Sequence, residues 1–397
     1  LTLPDGVYEV SVRGLSGDVN GPWSVAQEVL IDTVAPLSPQ SLAVTVGEAG
    51  LVTLAWTAAD GASGYMLRYK ETHSATWKTI RLSGKGTETT LYDVPAGIYQ
   101  WQVCAVDAAG NRSAWSDGDK FSANGAAITE TTHWAAGMLF DASGQLIGGY
   151  QDVNKVGAED SNLCWAAAAS NVLAWWQQQY PTGSVLNGVP QDAAAIYACF
   201  CDNWKNVSGA ESYAYTWWLA NDSNSFSYNS YYNTNYQGAD DIGGWYSEYY
   251  GRQNIANHTA QVQLSTLEAA DVSSAWEGVY NGGGMLSLGV FNGYSNGALN
   301  GGHSLTLWGF TEDAEGYVCE VYVTDSDDDR EQLLTLSVAV DEVSGLYRVA
   351  EGQGSLSGYY LGTYTYLKAG GMAVDGDAVE KATQLGMASA GDGSGRY

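Results

Sequence analysis

The chain has 397 residues, of which 45% are hydrophobic and 12% aromatic, and this excludes a disordered protein while allowing two or three domains with buried cores. Acidic residues outnumber basic ones by 44 to 16, so the formal net charge of −28 argues against nucleic acid or an anionic membrane surface as a partner. No segment approaches the roughly 18 consecutive apolar residues of a membrane helix, and no membrane insertion is expected. The composition leaves basic proteins as suitable partners and leaves the oligomeric state open.

The first 122 residues contain an internal repeat of strand-like segments. Gly6–Val12, followed by Pro-Trp-Ser, recurs as Gly97–Val103, followed by Ala-Trp-Ser. Alternating inward and outward residues predict a complete all-β sandwich over residues 35–122, whereas residues 1–34 contain only the last strands of a preceding copy. A tryptophan on an early strand and Tyr99 at the start of a late one resemble fibronectin type III modules. We therefore expect further modules upstream, and an N-terminal segment whose edge is either covered or mobile.

A second domain is predicted over residues 127–369, with helices first and strands afterwards, which is typical of an α+β fold. Helices are predicted at Leu163–Gln179, Gln191–Phe200 and Ser212–Ala220. Strands are predicted at Gly284–Val290, Gly302–Phe310, Tyr317–Thr324, Leu333–Val340 and Tyr359–Leu367. The aromatic, Asn/Ser/Tyr-rich stretch 213–250 has no assigned role, and residues 370–397 are predicted to form a flexible tail.

Cys164 begins the longest predicted helix, directly after polar residues 159–162 that are expected to cap it. The unpaired N–H groups and the positive dipole at a helix N-terminus favour a thiolate, which is the attacking form of a cysteine nucleophile. Five cysteines are too few for a disulfide scaffold, and their odd number predicts at least one free thiol. Because free cysteines are often buried core residues, Cys164 needs a neighbouring base before it is assigned a catalytic role.

His303 and Asp325 are predicted to supply that base and its partner. His303 opens one predicted strand and Asp325 closes the next, and a hairpin centred near residue 314 would place the two directly opposite each other. A carboxylate that orients an imidazole is the arrangement that a nucleophilic cysteine requires. Asp327 lies two residues further along, on the same face. The acidic run 325–329 leaves a solvated turn or a calcium-binding loop as alternatives.

These motifs resemble a known family. Asn162–Ala168 and Leu173–Trp176 resemble the nucleophile helix of papain-like cysteine proteases and, more narrowly, of the bacterial immunoglobulin-degrading cysteine peptidases of the IdeS/Mac type. Gly302–Gly309 and Val321–Asp327 follow in the order of that family, and the resemblance covers about residues 130–368. It implies a papain-like catalytic domain behind the fibronectin-like modules.

The resemblance also implies the role of each site residue. Cys164 would be the nucleophile and His303 the general base and acid, while Asp325 would orient the imidazole with Asp327 beside it. Lys155 would stabilise the oxyanion together with the backbone N–H of Cys164, because the glutamine that papain-like enzymes use is absent. Neither a metal nor an organic cofactor is needed for this chemistry.

The sequence thus predicts a secreted or surface-displayed bacterial cysteine endopeptidase that cleaves proteins, with host immunoglobulin as one candidate substrate. One alternative keeps the fold and changes the reaction to that of an acyltransferase or amidase. Another alternative is a non-catalytic surface adhesin, which would bind through the sandwich modules and the aromatic loops. Cleavage that is lost on Cys164→Ala would separate the peptidase from the adhesin.

Overall fold

The computed structural model describes residues 3–82, 84–124, 129–180, 188–220, 243–246 and 258–368. Contacts divide the chain into two units, one of Leu1–Thr72 with Thr76–Ile128 and the other of His73–Ala75 with Thr129–Tyr397. Most of the aromatic stretch 213–250 and all of the predicted tail 370–397 lie outside the described residues. Within the described residues, no helix is long and apolar enough to cross a membrane. The separation of residues 1–34 from 35–122 as distinct modules remains a prediction.

The N-terminal unit consists of β-strands. They are β1 (Gly6–Val10), β2 (Arg13–Ser16), β3 (Val19–Trp23), β4 (Gln27–Ile31), β5 (Gln40–Val46), β6 (Val52–Thr57), β7 (Gly64–Glu71), β8 (Lys78–Leu82), β9 (Glu88–Leu91), β10 (Gly97–Val106), β11 (Ser116–Asp117) and β12 (Phe121–Ala123). Strands β5, β6 and β9 form one sheet, and β11, β10, β7 and β8 form another, with β12 paired to β10. Alternate side chains from both sheets, such as Trp56, Leu67 and Trp101, share one core, so this unit is an all-β sandwich.

The predicted repeat has a structural counterpart in two tyrosines. The hydroxyl of Tyr99 donates to the carbonyl of Pro95 at 3.3 Å, and the hydroxyl of Tyr8 donates to the carbonyl of Pro4 at 2.8 Å. Both bonds span four residues and hold the chain where it enters β10 or β1. Val7, beside Tyr8 on β1, is 60% exposed, and the expectation that the edge of this segment is either covered or mobile stays a prediction.

The C-terminal unit places helices before most of its strands and is therefore α+β. Its helices are α1 (Cys164–Gln179), α2 (Ala193–Asn203), α3 (Glu211–Ala220) and α4 (Val272–Asn281). Its strands are β13 (Glu130–Trp134), β14 (Leu139–Phe140), β15 (Leu146–Gly148), β16 (Thr259–Gln263), β17 (Met285–Ser295), β18 (Ala298–Asp313), β19 (Val318–Asp325), β20 (Leu334–Val340), β21 (Tyr347–Val349) and β22 (Tyr360–Leu367). Short 3₁₀ turns lie at Ala158–Asp160, Leu264–Thr266, Ala269–Asp271 and Gly354–Leu356.

The large sheet of this unit closes on itself. Its order is β13-β18-β17-β22-β21-β20-β19, with β16 on β22, and the pairing of β18 with β19 joins six strands into an antiparallel barrel. Helix α1 packs on β18 and is buried along nearly its whole length. The run of small alanines in α1 permits close approach, since the hydroxyl of Thr306 on β18 donates to the carbonyl of Ala168 at 3.3 Å. The start of α1 is thereby fixed against the barrel.

The residues before α1 do not cap it in the predicted way. Leu163 occupies the N-cap position, and no side chain bonds to the first turn of the helix. The carboxylate of Asp160 instead accepts the backbone N–H groups of Val156 and Gly157, at 2.8 and 2.9 Å. The prediction that residues 159–162 cap α1 is therefore wrong, because the carboxylate of Asp160 bonds to backbone groups of the preceding loop instead of to the first turn of the helix.

Candidate active site

Cys164 is the first residue of α1, where helix geometry leaves backbone N–H groups unpaired. Burial alone would raise the pKa of its thiol. The hydrogen bond and the charge of His303 outweigh burial, assisted by the backbone N–H of Ser304 and the charge of Lys155, so the pKa of Cys164 is lowered. A lowered pKa increases the thiolate fraction, and the thiolate is the nucleophilic form. The remaining four cysteines form no disulfide in the described structure, and the pKa of three of them, Cys104, Cys199 and Cys201, is raised chiefly by burial.

The imidazole of His303 joins the thiol to a buried carboxylate. Its Nε2 lies 2.6 Å from Oδ1 of Asp325, which is 1% exposed. Because a carboxylate only accepts, Nε2 carries a proton, and Nδ1 remains available to the thiol. Burial would lower the pKa of His303, but its hydrogen bonds to Asp325 and Cys164 raise it to about 10. Burial conversely raises the pKa of Asp325, and the bond to His303 more than reverses this.

The strand register differs from the predicted one by two residues. Asp325 pairs with Leu305 rather than with His303, and bulges interrupt the β18–β19 ladder near Gly309 and Thr311. A shift of two residues leaves every side chain on its original face, since side chains alternate with period two. Asp325 therefore still shares a face with His303, and their side chains meet diagonally rather than directly across the ladder.

Lys155 reaches the same place from the segment before the 3₁₀ turn. Its Nζ donates to the carbonyl of Ser161 at 2.8 Å and forms an ion pair with Oδ1 of Asp327 at 2.6 Å. The other oxygen of Asp327 lies 3.9 Å from Nδ1 of His303. An ammonium group has three N–H donors, so one remains for a bound molecule.

All five predicted site residues line one cavity of about 310 Å³. Most of its other lining residues are small or polar. The full lining consists of Lys155, Ser161, Asn162, Cys164, Ser208, Asn292, Gly301, Gly302, His303, Asp325, Asp327, Ser355, Leu356 and Tyr359.

Two supporting groups carried no signal in the sequence. The side-chain amide of Asn206 accepts the N–H of Asn162 at 2.6 Å and donates to the carbonyl of Ala158 at 2.9 Å, which fixes both ends of the loop before Cys164. The hydroxyl of Tyr197 on α2 donates at 3.0 Å to the buried carboxylate of Asp160, which in turn holds the start of the same loop. Both contacts join segments that are distant along the chain, and no motif or spacing marks them.

The site also contains a set of atoms that could ligate a metal ion. Ligand atoms of His303, Asp325 and Asp327 lie within 4.8 Å of one another. An imidazole and two carboxylates suit a divalent cation. The 2.6 Å hydrogen bond between Nε2 and Oδ1 already pairs two of these atoms, and the ion pair with Lys155 engages a third group. This hydrogen bond and this ion pair account for the arrangement of the three side chains.

A family model described as Mac 1 matches residues 238–359. This match includes His303, Asp325 and Asp327, but it begins well after Cys164 and Lys155. The resemblance stated from the sequence is therefore wrong as given, since it was extended over residues 130–368 and depended on the nucleophile helix. The match covers less than half of the chain, and no curated protein matches the chain.

Several solved structures of fibronectin type III domains are similar to part of this chain. The FN1–FN3 domains of chicken CNTN1 are 23% identical over 31% of this chain and 42% of that one, with a TM-score of 0.28. The fn3 domain of the human collagen alpha-1(XX) chain is 24% identical over 25% of this chain and 96% of that one, with a TM-score of 0.22. A two-domain fibronectin type III segment from chicken tenascin is 17% identical over 30% and 65%, also with a TM-score of 0.22. These TM-scores are low, and the sandwich is shown by the strand pairing and shared core of this chain alone.

Proposed function

We propose that the protein is a cysteine endopeptidase in which Cys164, His303 and Asp325 form the catalytic triad. The observation that carries the proposal is the position of His303, whose imidazole bonds to a buried carboxylate and lines one cavity with a thiol at a helix N-terminus, the pKa of which it lowers. A nucleophile, a base and an orienting acid in one cavity form the general arrangement for acyl transfer. The packing of α1 on an antiparallel barrel supports a papain-like architecture. The Mac 1 match, which covers the strands carrying His303 and Asp325, supports the same class of reaction.

The reaction follows from the charges of the site. The thiolate of Cys164 attacks a peptide carbonyl, and the imidazolium of His303 gives its Nδ1 proton to the leaving amine. A water molecule, deprotonated by the same imidazole, then hydrolyses the thioester and releases the thiolate, which restores the thiolate–imidazolium pair. The developing oxyanion is stabilised by the third N–H donor of Lys155 and by the backbone N–H of Cys164. Removing one donor from such an oxyanion site typically lowers the rate by about 10²–10³. A secreted or surface-displayed bacterial location, with a protein of the host such as immunoglobulin as substrate, belongs to this proposal.

The test compares Cys164→Ala with Cys199→Ala, a matched loss of a thiol on α2 outside the cavity. Purified wild type and both variants are incubated with immunoglobulin G and with unfolded basic proteins, and new peptide termini are identified by mass spectrometry. We expect cleavage by wild type and Cys199→Ala and none by Cys164→Ala. Cleavage that persists in Cys164→Ala would eliminate the mechanism. A stable acyl group on Cys164 without cleavage would point to acyl transfer instead.

A further inference from the structure

Helix α1 carries a buried side-chain amide that the proposed mechanism does not use. Asn171 is 2% exposed and follows Cys164 by seven residues. Seven residues are about two turns of helix, so the two side chains leave α1 on the same side, about 10 Å apart along its axis. A buried amide needs hydrogen-bond partners, and those of Asn171 indicate what the residue does.

The amide of Asn171 connects α1 to each of the other segments that supply the nucleophile's partners. Its Oδ1 accepts the backbone N–H of Val153 at 3.0 Å, two residues before Lys155. Its Nδ2 donates to the hydroxyl of Thr306 on β18 at 3.1 Å and, less closely, to that of Thr324 on β19 at 3.4 Å. Strands β18 and β19 carry the imidazole and the buried carboxylate of the site. One side chain therefore bonds to all three segments from the helix that begins with the thiol.

The donors and acceptors of this network match one another. The hydroxyl of Thr306 donates to the carbonyl of Ala168 at 3.3 Å, and that of Thr324 donates to the carbonyl of Gln151 at 3.1 Å. Each hydroxyl thereby keeps a lone pair that accepts an N–H of Asn171. A carboxylate in its place could not donate, and an aliphatic side chain would leave a buried backbone N–H without its acceptor.

The contacts of Asn171 lie apart from the reacting groups. Thr306 and Thr324 pair directly with each other across the β18–β19 ladder. Side chains alternate between the two faces of a sheet, so both threonines lie on the face opposite to the one that His303 and Asp325 share. Asn171 consequently acts on the site through the backbones of the elements that it joins.

We propose that Asn171 is a positioning residue, whose amide fixes α1, and with it the thiol of Cys164, against the strands that carry His303 and Asp325. The inference rests on the proposed function in that Cys164 is taken as the nucleophile and His303 as its partner. A helix that shifted on the barrel would move the thiol relative to the imidazole. The thiolate would then be less stabilised, because a nearby opposite charge favours the charged form.

The test measures the rate of alkylation of Cys164 by iodoacetamide from pH 5 to pH 9, with each cysteine peptide resolved by mass spectrometry. Asn171→Leu replaces the amide by an apolar group of similar shape. We expect the midpoint of its reactivity profile to rise by about one pH unit, equivalent to about tenfold slower alkylation on the acidic side. Thr306→Val removes one acceptor of the network and should shift the profile in the same direction, which keeps the inference testable if the leucine variant does not fold. The ionisable groups that line the cavity are unchanged in both variants.

Ser170→Ala is the matched control on the same helix. Ser170 is also buried, but its hydroxyl donates within α1, to the carbonyl of Ala166 at 2.7 Å. The control should keep the wild-type profile. The buried thiol of Cys319 on β19 reports the fold in the same experiment, because it should stay protected in every variant whose barrel is folded.

The double variant Asn171→Leu/Thr306→Val should shift the midpoint by less than the sum of the two single shifts, because the two residues share one contact. Additive shifts would overturn the inference, as would wild-type profiles in both single variants or an equal shift in Ser170→Ala. Alkylation does not depend on peptide cleavage. A wild-type protein that cleaves no protein, but whose variants shift as expected, would therefore refute the proposed function while supporting the role of Asn171.

Discussion

At the scale of single residues, the surroundings of Cys164 and His303 shift the pKa values of these two side chains in opposite directions. The thiol of Cys164 has a lowered pKa and the imidazole of His303 has a pKa raised to about 10, and both shifts favour the thiolate–imidazolium pair over the neutral pair. Each of the two charges stabilises the other, and their titrations belong to the pair. Asp325 is the fixed charge on which the pair depends, since its own pKa is lowered and it remains ionised.

Asp325→Asn should reduce kcat/KM by about 10²–10⁴, because the amide can no longer fix the imidazole as a buried carboxylate does. Loss of the negative charge lowers the pKa of His303, so the alkaline limb of the pH–rate profile moves to lower pH. A less charged imidazole also stabilises the thiolate less, so the acidic limb moves to higher pH. The measurement is kcat/KM from pH 5 to pH 10. Asp329→Asn, at an exposed position with φ of 54°, is the matched control and should keep the wild-type profile.

At the scale of elements, local sequence patterns predicted the positions of helices and strands better than the pairing of residues between strands. Each predicted strand of the barrel coincides with an observed strand, and α1 begins one residue after the predicted start. The hairpin of β18 and β19 was predicted, but its register was wrong by two residues. The error arises at the turn, since Glu312 pairs with Val318 and the hairpin is centred near residue 315 rather than 314. The two bulges that follow offset each other, so the difference of two residues persists to Asp325.

Helix α4 was not predicted, and its composition explains why. Its sequence, VSSAWEGVYN, contains serines, β-branched residues and a glycine, which have weak helix propensity. Val272 and Trp276 are buried on one side, so packing against the barrel stabilises the helix. Contacts between distant segments also limited what the sequence could predict about the site. The predicted residues all line the cavity, but Asn206 and Tyr197 hold the loop before Cys164 through contacts that only the folded chain creates.

The loop before α1 provides a prediction at this scale. Asn206→Asp keeps an acceptor for the N–H of Asn162 but replaces a donor with a carboxylate oxygen facing the carbonyl of Ala158. The loop should shift, moving the carbonyl of Ser161 away from Lys155, and we expect kcat/KM to fall about tenfold with little change in the melting temperature. Steady-state kinetics and thermal unfolding measure the two effects.

Asn296→Asp is the matched control for this change. Asn296 lies in the exposed turn between β17 and β18 with φ of 53°, a conformation that aspartate also tolerates. The control should behave as wild type in both measurements. Equal kcat/KM for Asn206→Asp and wild type would show that the loop does not depend on the hydrogen bonds of Asn206. A large fall in melting temperature would show that Asn206 stabilises the whole fold rather than the loop.

At the scale of the whole molecule, the excess of acidic residues determines the overall electrostatic potential. Even if each of the 16 basic residues were paired with an acid, the acidic excess of 28 charges would remain uncompensated. The cations of the proposed site, Lys155 and the imidazolium of His303, therefore act within a protein of strongly negative overall potential. Basic substrates should associate faster than acidic ones at low salt, and this preference should fade as salt screens the field.

The same excess predicts how stability depends on salt. Repulsion among uncompensated acidic groups destabilises the folded chain more than the expanded unfolded one, so raising NaCl from about 20 mM to about 300 mM should raise the melting temperature. Exposed ion pairs such as Arg348–Glu351 weaken with salt, but each contributes only about 0–1 kcal/mol. The melting temperature is measured by calorimetry in NaCl and in sucrose at matched osmolality, since sucrose does not screen charge. A melting temperature that falls with NaCl, or that rises equally in sucrose, would mean that attraction between local pairs outweighs the repulsion of the excess charge.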